Sequence, residues 1–154
     1  MPDQNKLDKT YLKMASIWAD MSHAKRKKVG CIIVKEDQII SDGYNGTPAG
    51  FDNKCEQFHP SETFCNYASD RTITKKEVLH AESNALMKLA KSNNSSDGAT
   101  MYLTCSPCFD CAKLIIQAGI SKVYYSEDYR DMSGVALLET ANIEVEQVNV
   151  WNGI

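Results

Sequence analysis

The spacing of apolar and polar residues changes along the chain, and each spacing predicts an element. Apolar side chains recur every three or four residues over residues 6–22, which predicts an amphipathic helix. Residues 29–34 and 39–44 are rich in β-branched side chains and flank a polar turn at 35–38. Two such runs around a short turn predict a β-hairpin.

In the second half of the chain, helical and strand patterns alternate. The predicted elements there are helices at 80–90, 107–118 and 132–141 and strands at 99–104, 120–126 and 143–150. Ser106 is suited to the N-cap of the middle helix, Pro107 to its first position and Gly119 to its C′ position. Alternation of this kind implies parallel strands with helices packed on the sheet, so the predicted fold class is α/β.

A stretch without any clear period separates the hairpin from this alternating half. It covers about residues 51–76 and predicts a long irregular insertion, a kind of loop that is usually functional or mobile. At 154 residues, the chain has the length of one domain. We therefore predict a single domain over residues 1–154, with this insertion inside it.

Composition and charge narrow the classes of function. The chain is 43% hydrophobic and 24% charged, its apolar runs are too short to cross a bilayer, and its polar start predicts no signal peptide. A net charge of −3 argues against a protein that grips long nucleic acid. Six cysteines without a secretory segment favour reduced thiols and a cytoplasmic location.

Two short motifs, His-Ala-Glu and Pro-Cys-Phe-Asp-Cys, carry the candidate chemistry, and each stands where a helix is predicted to begin. They provide His80, Cys108 and Cys111, which are enough for three ligands to a tetrahedral zinc ion with one position open for water. Glu82 is then a spare carboxylate close to the metal. This combination is the signature of zinc-dependent nucleobase deaminases.

The spacing suits a hydrolytic deamination. Cys108 and Cys111 share the first turn of a predicted helix, where unpaired N–H groups and the helix dipole favour thiolates. Zinc makes hydroxide available near neutral pH, and Glu82 would move protons to the ring nitrogen and to the departing amine. The alternative is a structural zinc site, in which Cys105 or another thiol supplies a fourth ligand.

A second metal site is a separate hypothesis. Cys55, His59 and Cys65 lie in the insertion, and His23 lies upstream, so together they contain enough ligands for a structural zinc ion. Their spacings match no compact pair of zinc ligands, and no Cys-x-x-Cys motif occurs among them. The sequence therefore leaves this second site open.

Two segments near the hairpin are candidate ligand contacts. The basic run at 25–28 is either a solvated helix end or the wall of a pocket for one small phosphate. The glycine-rich segment at 43–50 is either a plain turn or a loop whose backbone approaches a ligand closely. In the second case, Asn45 is able to hydrogen-bond a sugar or a base.

Beyond the two zinc motifs, the chain resembles the deoxycytidylate (dCMP) deaminase family of phages and cells. The likeness covers most of residues 29–148 and lies in GYNGTPAG at 43–50, HAESNA at 80–85, SPCFDCAK at 106–113 and IIQAGI at 115–120. It implies a three-layer α/β/α sandwich around a five-stranded mixed sheet, as in cytidine deaminases. It also implies hydrolysis of dCMP to dUMP and ammonia.

The resemblance implies roles for individual residues as well. The zinc ligands and the proton shuttle are those of the two motifs, and Asn45 and Tyr129 correspond to substrate contacts. For Tyr129, an aromatic side chain at a strand end is an equally good structural explanation. Arg26 and Lys28 are our candidates for the 5′-phosphate, because a guanidinium fork or an ammonium group suits a phosphate.

Members of this family are often hexamers that dCTP activates, together with Mg²⁺, and that dTTP inhibits. The glycine-rich segment is associated with that nucleotide site, so the resemblance implies regulation through it. The candidate contacts are Gly43, Tyr44, Gly46, Thr47 and Gly50. The expected partners are therefore small nucleotides and further copies of the chain, with no long nucleic acid and no membrane.

Two competing interpretations stay open at this level. One is a deaminase that acts on another substrate, such as free cytidine, guanine, or a base in tRNA or single-stranded DNA. A polynucleotide substrate usually requires a basic channel with stacking aromatic side chains, and an acidic chain with 8% aromatic residues gives little support for one. The other is a binding module without catalysis, in which zinc only stabilises the fold.

Overall fold

The computed structural model describes residues 2–58 and 72–150. The helices of this part are α1 (Gln4–Ala19), α2 (Ala81–Ala90), α3 (Phe109–Gln117) and α4 (Ser133–Thr140). The strands are β1 (Gly30–Lys35), β2 (Gln38–Tyr44), β3 (Glu56–Phe58), β4 (Thr72–Thr74), β5 (Thr100–Cys105), β6 (Lys122–Glu127) and β7 (Glu144–Gln147). None of the helices seen here has both the length and the apolar character that a membrane span requires.

Five of the strands form one mixed sheet in the order β2-β1-β5-β6-β7. Strand β1 is antiparallel to both β2 and β5, whereas β5, β6 and β7 run parallel to one another. The parallel half follows from the strand–helix alternation, because a helix must return the chain before the next parallel strand begins. The predicted α/β class and five-stranded mixed sheet are confirmed.

Helices cover both faces of this sheet. One face packs against α2, α3 and α4, and the other packs against α1. Because side chains alternate along a strand, Cys31 and Ile33 of β1 belong to the core under α2–α4, whereas Ile32 and Val34 belong to the core under α1. The result is the three-layer α/β/α arrangement.

The hairpin and the last helices agree with the sequence pattern, with one local correction. Glu36 and Asp37 both have positive φ, 50° and 60°, as the two central residues of a tight hairpin turn require. The N-cap of α3, however, is Cys108, whose Sγ accepts the N–H of Cys111 at 3.5 Å. Ser106 is not the cap, because its Oγ instead accepts a main-chain N–H from the loop after β6.

The insertion contains regular structure where the sequence predicts irregular chain. Strands β3 and β4 pair antiparallel, with Glu56 opposite Thr74 and Phe58 opposite Thr72. Strands of three residues are too short to produce a visible alternation of polar and apolar positions, which explains the difference. Residues 59–71, with His59 and Cys65, lie outside the described part of the chain.

The contact between β2 and α2 gives a first testable prediction. A Cβ at Gly43 would lie 2.4 Å from the carbonyl oxygen of Ala81 and 2.7 Å from the main-chain nitrogen of Ala85, so the backbones would have to separate. We expect Gly43→Ala to lower the free energy of unfolding by about 1–3 kcal/mol, measured by chemical denaturation.

The matched control for this variant is Gly46→Ala, three residues further along the chain. No heavy atom of the described chain lies within 4 Å of a Cβ at Gly46. There we expect the free energy of unfolding to stay unchanged or to rise by up to about 1 kcal/mol, because alanine restricts the unfolded chain. Equal losses in the two variants would contradict the packing explanation.

Candidate active site

The two zinc motifs meet at the N-termini of neighbouring helices. His80 is the N-cap of α2, and its side chain makes no capping hydrogen bond. Its Nδ1 lies 3.5 Å from Sγ of Cys108 and 3.3 Å from Sγ of Cys111. All three potential ligand atoms lie within 4.8 Å of one another. The fold thus brings His80 together with two cysteines that lie 28 and 31 positions later in the sequence.

These three residues fit a zinc ion by both geometry and chemistry. Ligand atoms about 2.0–2.3 Å from a tetrahedral ion lie about 3.5 Å from one another, close to the two distances to Nδ1. Two sulfurs and one imidazole are also the ligand types that zinc prefers. Among the residues described, no other histidines, cysteines or carboxylates form such a group. His23 and Cys55 belong to no such group, and His59 and Cys65, the other two residues of the hypothetical second site, lie outside the described part of the chain.

Hydrogen bonds within the group favour a thiolate at Cys108. The neighbouring Cys111 thiol and His80 together lower the pKa of Cys108 to about 4. The same hydrogen bond between the two sulfurs raises the pKa of Cys111, because a second thiolate beside the first is unfavourable. A divalent cation removes this conflict, since it lets both sulfurs be deprotonated at once.

Glu82 lies in the first turn of α2 and is almost completely buried, with 4% of its surface exposed. Burial disfavours the charged carboxylate and raises the pKa of Glu82 to about 7. The main-chain N–H of Glu82 and the charge of His80 lower this pKa, so the carboxyl group is electrostatically coupled to the ligand group. A carboxyl group in this position is able to accept and to return a proton next to the metal site.

Glu82 and the zinc group border a cavity of about 570 Å³, which is large enough for a small organic ligand. Three other predicted site residues, Arg26, Asn45 and Tyr129, also line it. Lys28 does not line the cavity, whereas its neighbour Lys27 does. The second of the two cations predicted for the phosphate is therefore not part of this cavity wall.

Asn45 also has a structural function at this cavity. Its Oδ1 accepts the N–H of Val29 at 2.9 Å, and its Nδ2 donates to the carbonyl of Lys27 at 2.8 Å. Its carbonyl accepts the hydroxyl of Ser22 at 2.7 Å. Asn45 thus holds the chain segment before β1 in place at the edge of the cavity.

Tyr129 is held by the segment that carries the cysteine motif. Its main-chain N–H donates to the Oγ of Ser106 at 2.7 Å, and Ser106 is itself 3% exposed. The guanidinium of Arg130 lies 5.8 Å from the centre of the Tyr129 ring. The loop after β6 is therefore positioned directly against the start of α3.

The glycine-rich segment is attached to the helix that bears His80 and Glu82. Gly46 and Leu79 exchange two main-chain hydrogen bonds of 3.0 and 2.8 Å, and the carbonyl of Tyr44 accepts Nδ2 of Asn84 at 2.7 Å. The hydroxyl of Thr47 donates to the carbonyl of Asp52 at 2.6 Å. Further along, Gly50 has a φ of +90°, which favours glycine.

Among the residues that line the cavity and that sequence patterns missed are Lys27, Glu56 and Arg130. Lys27 belongs to the basic run, but nothing in that run indicates which of its cations faces the cavity. Glu56 lies in the insertion without a motif around it. Arg130 follows the tyrosine of the predicted site, and an isolated arginine after a strand gives no signal of its own.

An α/β/α sandwich with two cysteines, one histidine and a buried glutamate at the N-termini of two helices defines the class of zinc-dependent nucleobase deaminases. The sequence profile of the cytidine and deoxycytidylate deaminase zinc-binding region matches residues 5–127. The chain belongs to this family, which confirms the resemblance seen in its motifs.

Individual relatives agree with this assignment. A deoxycytidylate deaminase of Enterobacteria phage T4 is 37% identical over 170 aligned positions, which cover 90% of this chain and 88% of the relative. One from Saccharomyces cerevisiae is 38% identical over 141 residues, and the match covers 91% of this chain but only 44% of the yeast protein. The chain thus spans less than half of the yeast relative.

A solved structure shows the same fold at similar identity. It is a dCMP deaminase from the cyanophage S-TIM5, in complex with dCMP and dUMP. Its TM-score to this chain is 0.82 at 42% identity, over 93% of this chain and 97% of the phage chain. The ligands in that structure show that this fold accommodates a pyrimidine nucleoside monophosphate.

Proposed function

We propose that this chain catalyses the zinc-dependent hydrolysis of dCMP to dUMP and ammonia. The observation that carries the proposal is the buried Glu82 carboxyl group beside a three-ligand zinc group, at the wall of a 570 Å³ cavity. The relatives named as deoxycytidylate deaminases, and the phage enzyme in complex with dCMP and dUMP, support the choice of substrate.

Each group in the site has a distinct part in this reaction. His80, Cys108 and Cys111 would hold the zinc ion. When bound, zinc acts as a Lewis acid that makes water nucleophilic near neutral pH. Glu82 accepts the proton of that water and delivers one proton to the ring nitrogen next to the carbon under attack. It then takes up the second proton of the former water, from the hydroxyl now on that carbon, and delivers it to the departing amine, so that ammonia leaves.

The remaining predicted contacts are part of the same proposal. Asn45 and Tyr129 line the cavity and would contact the sugar and the base of the substrate. Arg26 and Lys28 are the sequence-based candidates for the 5′-phosphate, and Arg26 also lines the cavity. The side chains of the basic run would distinguish a nucleotide from a nucleoside, since only the nucleotide carries a phosphate.

We further propose that dCTP, with Mg²⁺, activates the enzyme, that dTTP inhibits it, and that the chain assembles into a hexamer in the cytoplasm. The family resemblance supports this regulation and assembly. The pairing of Gly46 with Leu79 supports a coupling between the nucleotide site and the active site, because it links the glycine-rich segment to the residue before His80. The five cysteines of the described chain are all free, which fits a reducing compartment.

A substrate comparison tests the proposed function. The purified protein, with its zinc content measured, would be assayed on dCMP, deoxycytidine, cytidine and guanine, and then on dCMP with dCTP or dTTP added. We expect kcat/KM for dCMP to exceed that for deoxycytidine by at least about tenfold, as one well-placed ionic contact provides. Equal turnover of dCMP and deoxycytidine would contradict the nucleotide assignment.

A further inference from the structure

Two arginines approach the cavity on either side of the end of β5. The loop that carries Arg26 leads into β1, and the loop that carries Arg130 follows β6. Because β1 is antiparallel to β5 and β6 is parallel to it, the start of β1 and the end of β6 lie at the same edge of the sheet. The Nζ of Lys27 lies 3.5 Å from Oε2 of Glu127, and this ion pair joins the loop before β1 to the end of β6.

The loop that carries Arg26 is fixed through its main chain. Oε1 of Glu56 accepts the N–H of Lys25 at 2.8 Å and the N–H of Arg26 at 3.1 Å. On the other side of the loop, the amide of Asn45 holds Lys27 and the residue that follows Lys28. A loop held at both ends presents its side chains at a defined place, which lowers the entropic cost of binding a ligand.

The cations of this loop differ in whether they are free to bind an anion. Lys27 is already engaged, because its Nζ pairs with Glu127. Lys25 and Lys28 do not line the cavity. Arg26 lines it, and no carboxylate of the described chain forms an ion pair with its guanidinium. It is thus the cation of the run that is available to the cavity.

Arg130 is also available to bind an anion in the cavity. Its guanidinium lies over the Tyr129 ring and forms no ion pair with a described carboxylate. Asp128 also lines the cavity. The Ser106 hydroxyl fixes the preceding residue and thereby sets the distance between this loop and the zinc motif.

We propose that Arg26 and Arg130 together bind the 5′-phosphate of the substrate and that Glu56 is the positioning residue for Arg26. This assignment rests on the proposed function and replaces Lys28 by Arg130 as the second cation. Two guanidinium groups provide paired N–H donors toward a phosphate dianion, which suits its geometry better than single ammonium groups. Glu56 acts on Arg26 through the loop, since Oε1 of its carboxylate accepts two main-chain N–H groups there.

The test compares two substrates in each of several variants. We expect Arg26→Gln and Arg130→Gln each to lower kcat/KM for dCMP about 10- to 100-fold, mainly through KM, and to leave kcat/KM for deoxycytidine within about twofold. Glu56→Ala should show the same pattern to a smaller extent. Glu56→Gln should keep kcat/KM for dCMP close to the wild-type value, because an amide oxygen still accepts both N–H groups.

Controls on the same loop separate this assignment from a general effect of charge. Lys25→Gln removes a neighbouring cation that does not line the cavity, and we expect it to change neither substrate by more than about twofold. Lys28→Gln decides between the two assignments. A loss of dCMP preference in Lys28→Gln and not in Arg130→Gln, or an equal loss for both substrates in the arginine variants, would overturn the proposal.

A binding measurement keeps this proposal distinct from the proposed function. Calorimetry of dUMP and deoxyuridine with the holoprotein reports the phosphate contact without any turnover. Suppose that the wild-type protein binds dUMP more tightly than deoxyuridine, that both arginine variants lose this preference, and that the wild-type protein deaminates none of the substrates. That result would refute the proposed activity and support the phosphate site. A wild-type protein that binds dUMP and deoxyuridine equally would refute the phosphate site.

Discussion

Replacement of Glu82 by glutamine is expected to lower kcat for dCMP by about 10² to 10⁴-fold, the usual contribution of a positioned general acid–base group. Glutamine keeps the size and polarity of the side chain, but it neither accepts the proton of the attacking water nor returns one to the ring and the amine. Glu82 is 4% exposed and lies two residues after His80, at the wall of the cavity.

The measurement for this variant is single-turnover deamination, with zinc content determined on the same sample. We expect Glu82→Gln to retain one zinc per chain, because its carboxylate is not one of the three ligands. The matched control is Glu77→Gln, at an exposed position outside the cavity in the segment that leads into α2. That variant should keep kcat within about twofold. Undiminished turnover by a zinc-loaded Glu82→Gln protein would refute the assignment.

Removal of one zinc ligand is expected to lower turnover of dCMP by a factor comparable to that of Glu82→Gln, because the protein then loses the metal. In Cys111→Ala the group loses the sulfur that lies 3.3 Å from Nδ1 of His80, which leaves two ligands. Two ligands are too few to hold zinc at a catalytic site. We expect the purified variant to contain far less than one zinc per chain and its turnover to fall at least about 100-fold.

Cys105→Ser is the matched control for the ligand variant, because Cys105 is another buried thiol that lines the same cavity and lies outside the ligand group. We expect it to retain one zinc per chain by elemental analysis. In the wild-type protein, a chelator should abolish turnover and added Zn²⁺ should restore it, whereas Zn²⁺ should not restore Cys111→Ala. Loss of zinc from Cys105→Ser would instead indicate a site closed by four protein ligands.

Most of the fold follows from local patterns in the sequence. Helix α1, the hairpin and the alternating strands and helices after residue 80 are confirmed within a few residues, because periods of 2 and 3.6 reflect which side of each element is buried. Strands β3 and β4 were not predicted, since three residues do not establish a period. The start of α3 is displaced because the Ser106 hydroxyl bonds a distant loop and not its own helix.

The sequence by itself identified the candidate zinc ligands and the candidate proton shuttle, because each of the two motifs has a short, recognisable spacing at a predicted helix start. Only the tertiary structure decided which residues surround the substrate cavity. Glu56, Arg26 and Arg130 belong to three segments that are far apart in the chain. Strand order and loop contacts bring these segments to one edge of the sheet, and no local pattern records such contacts.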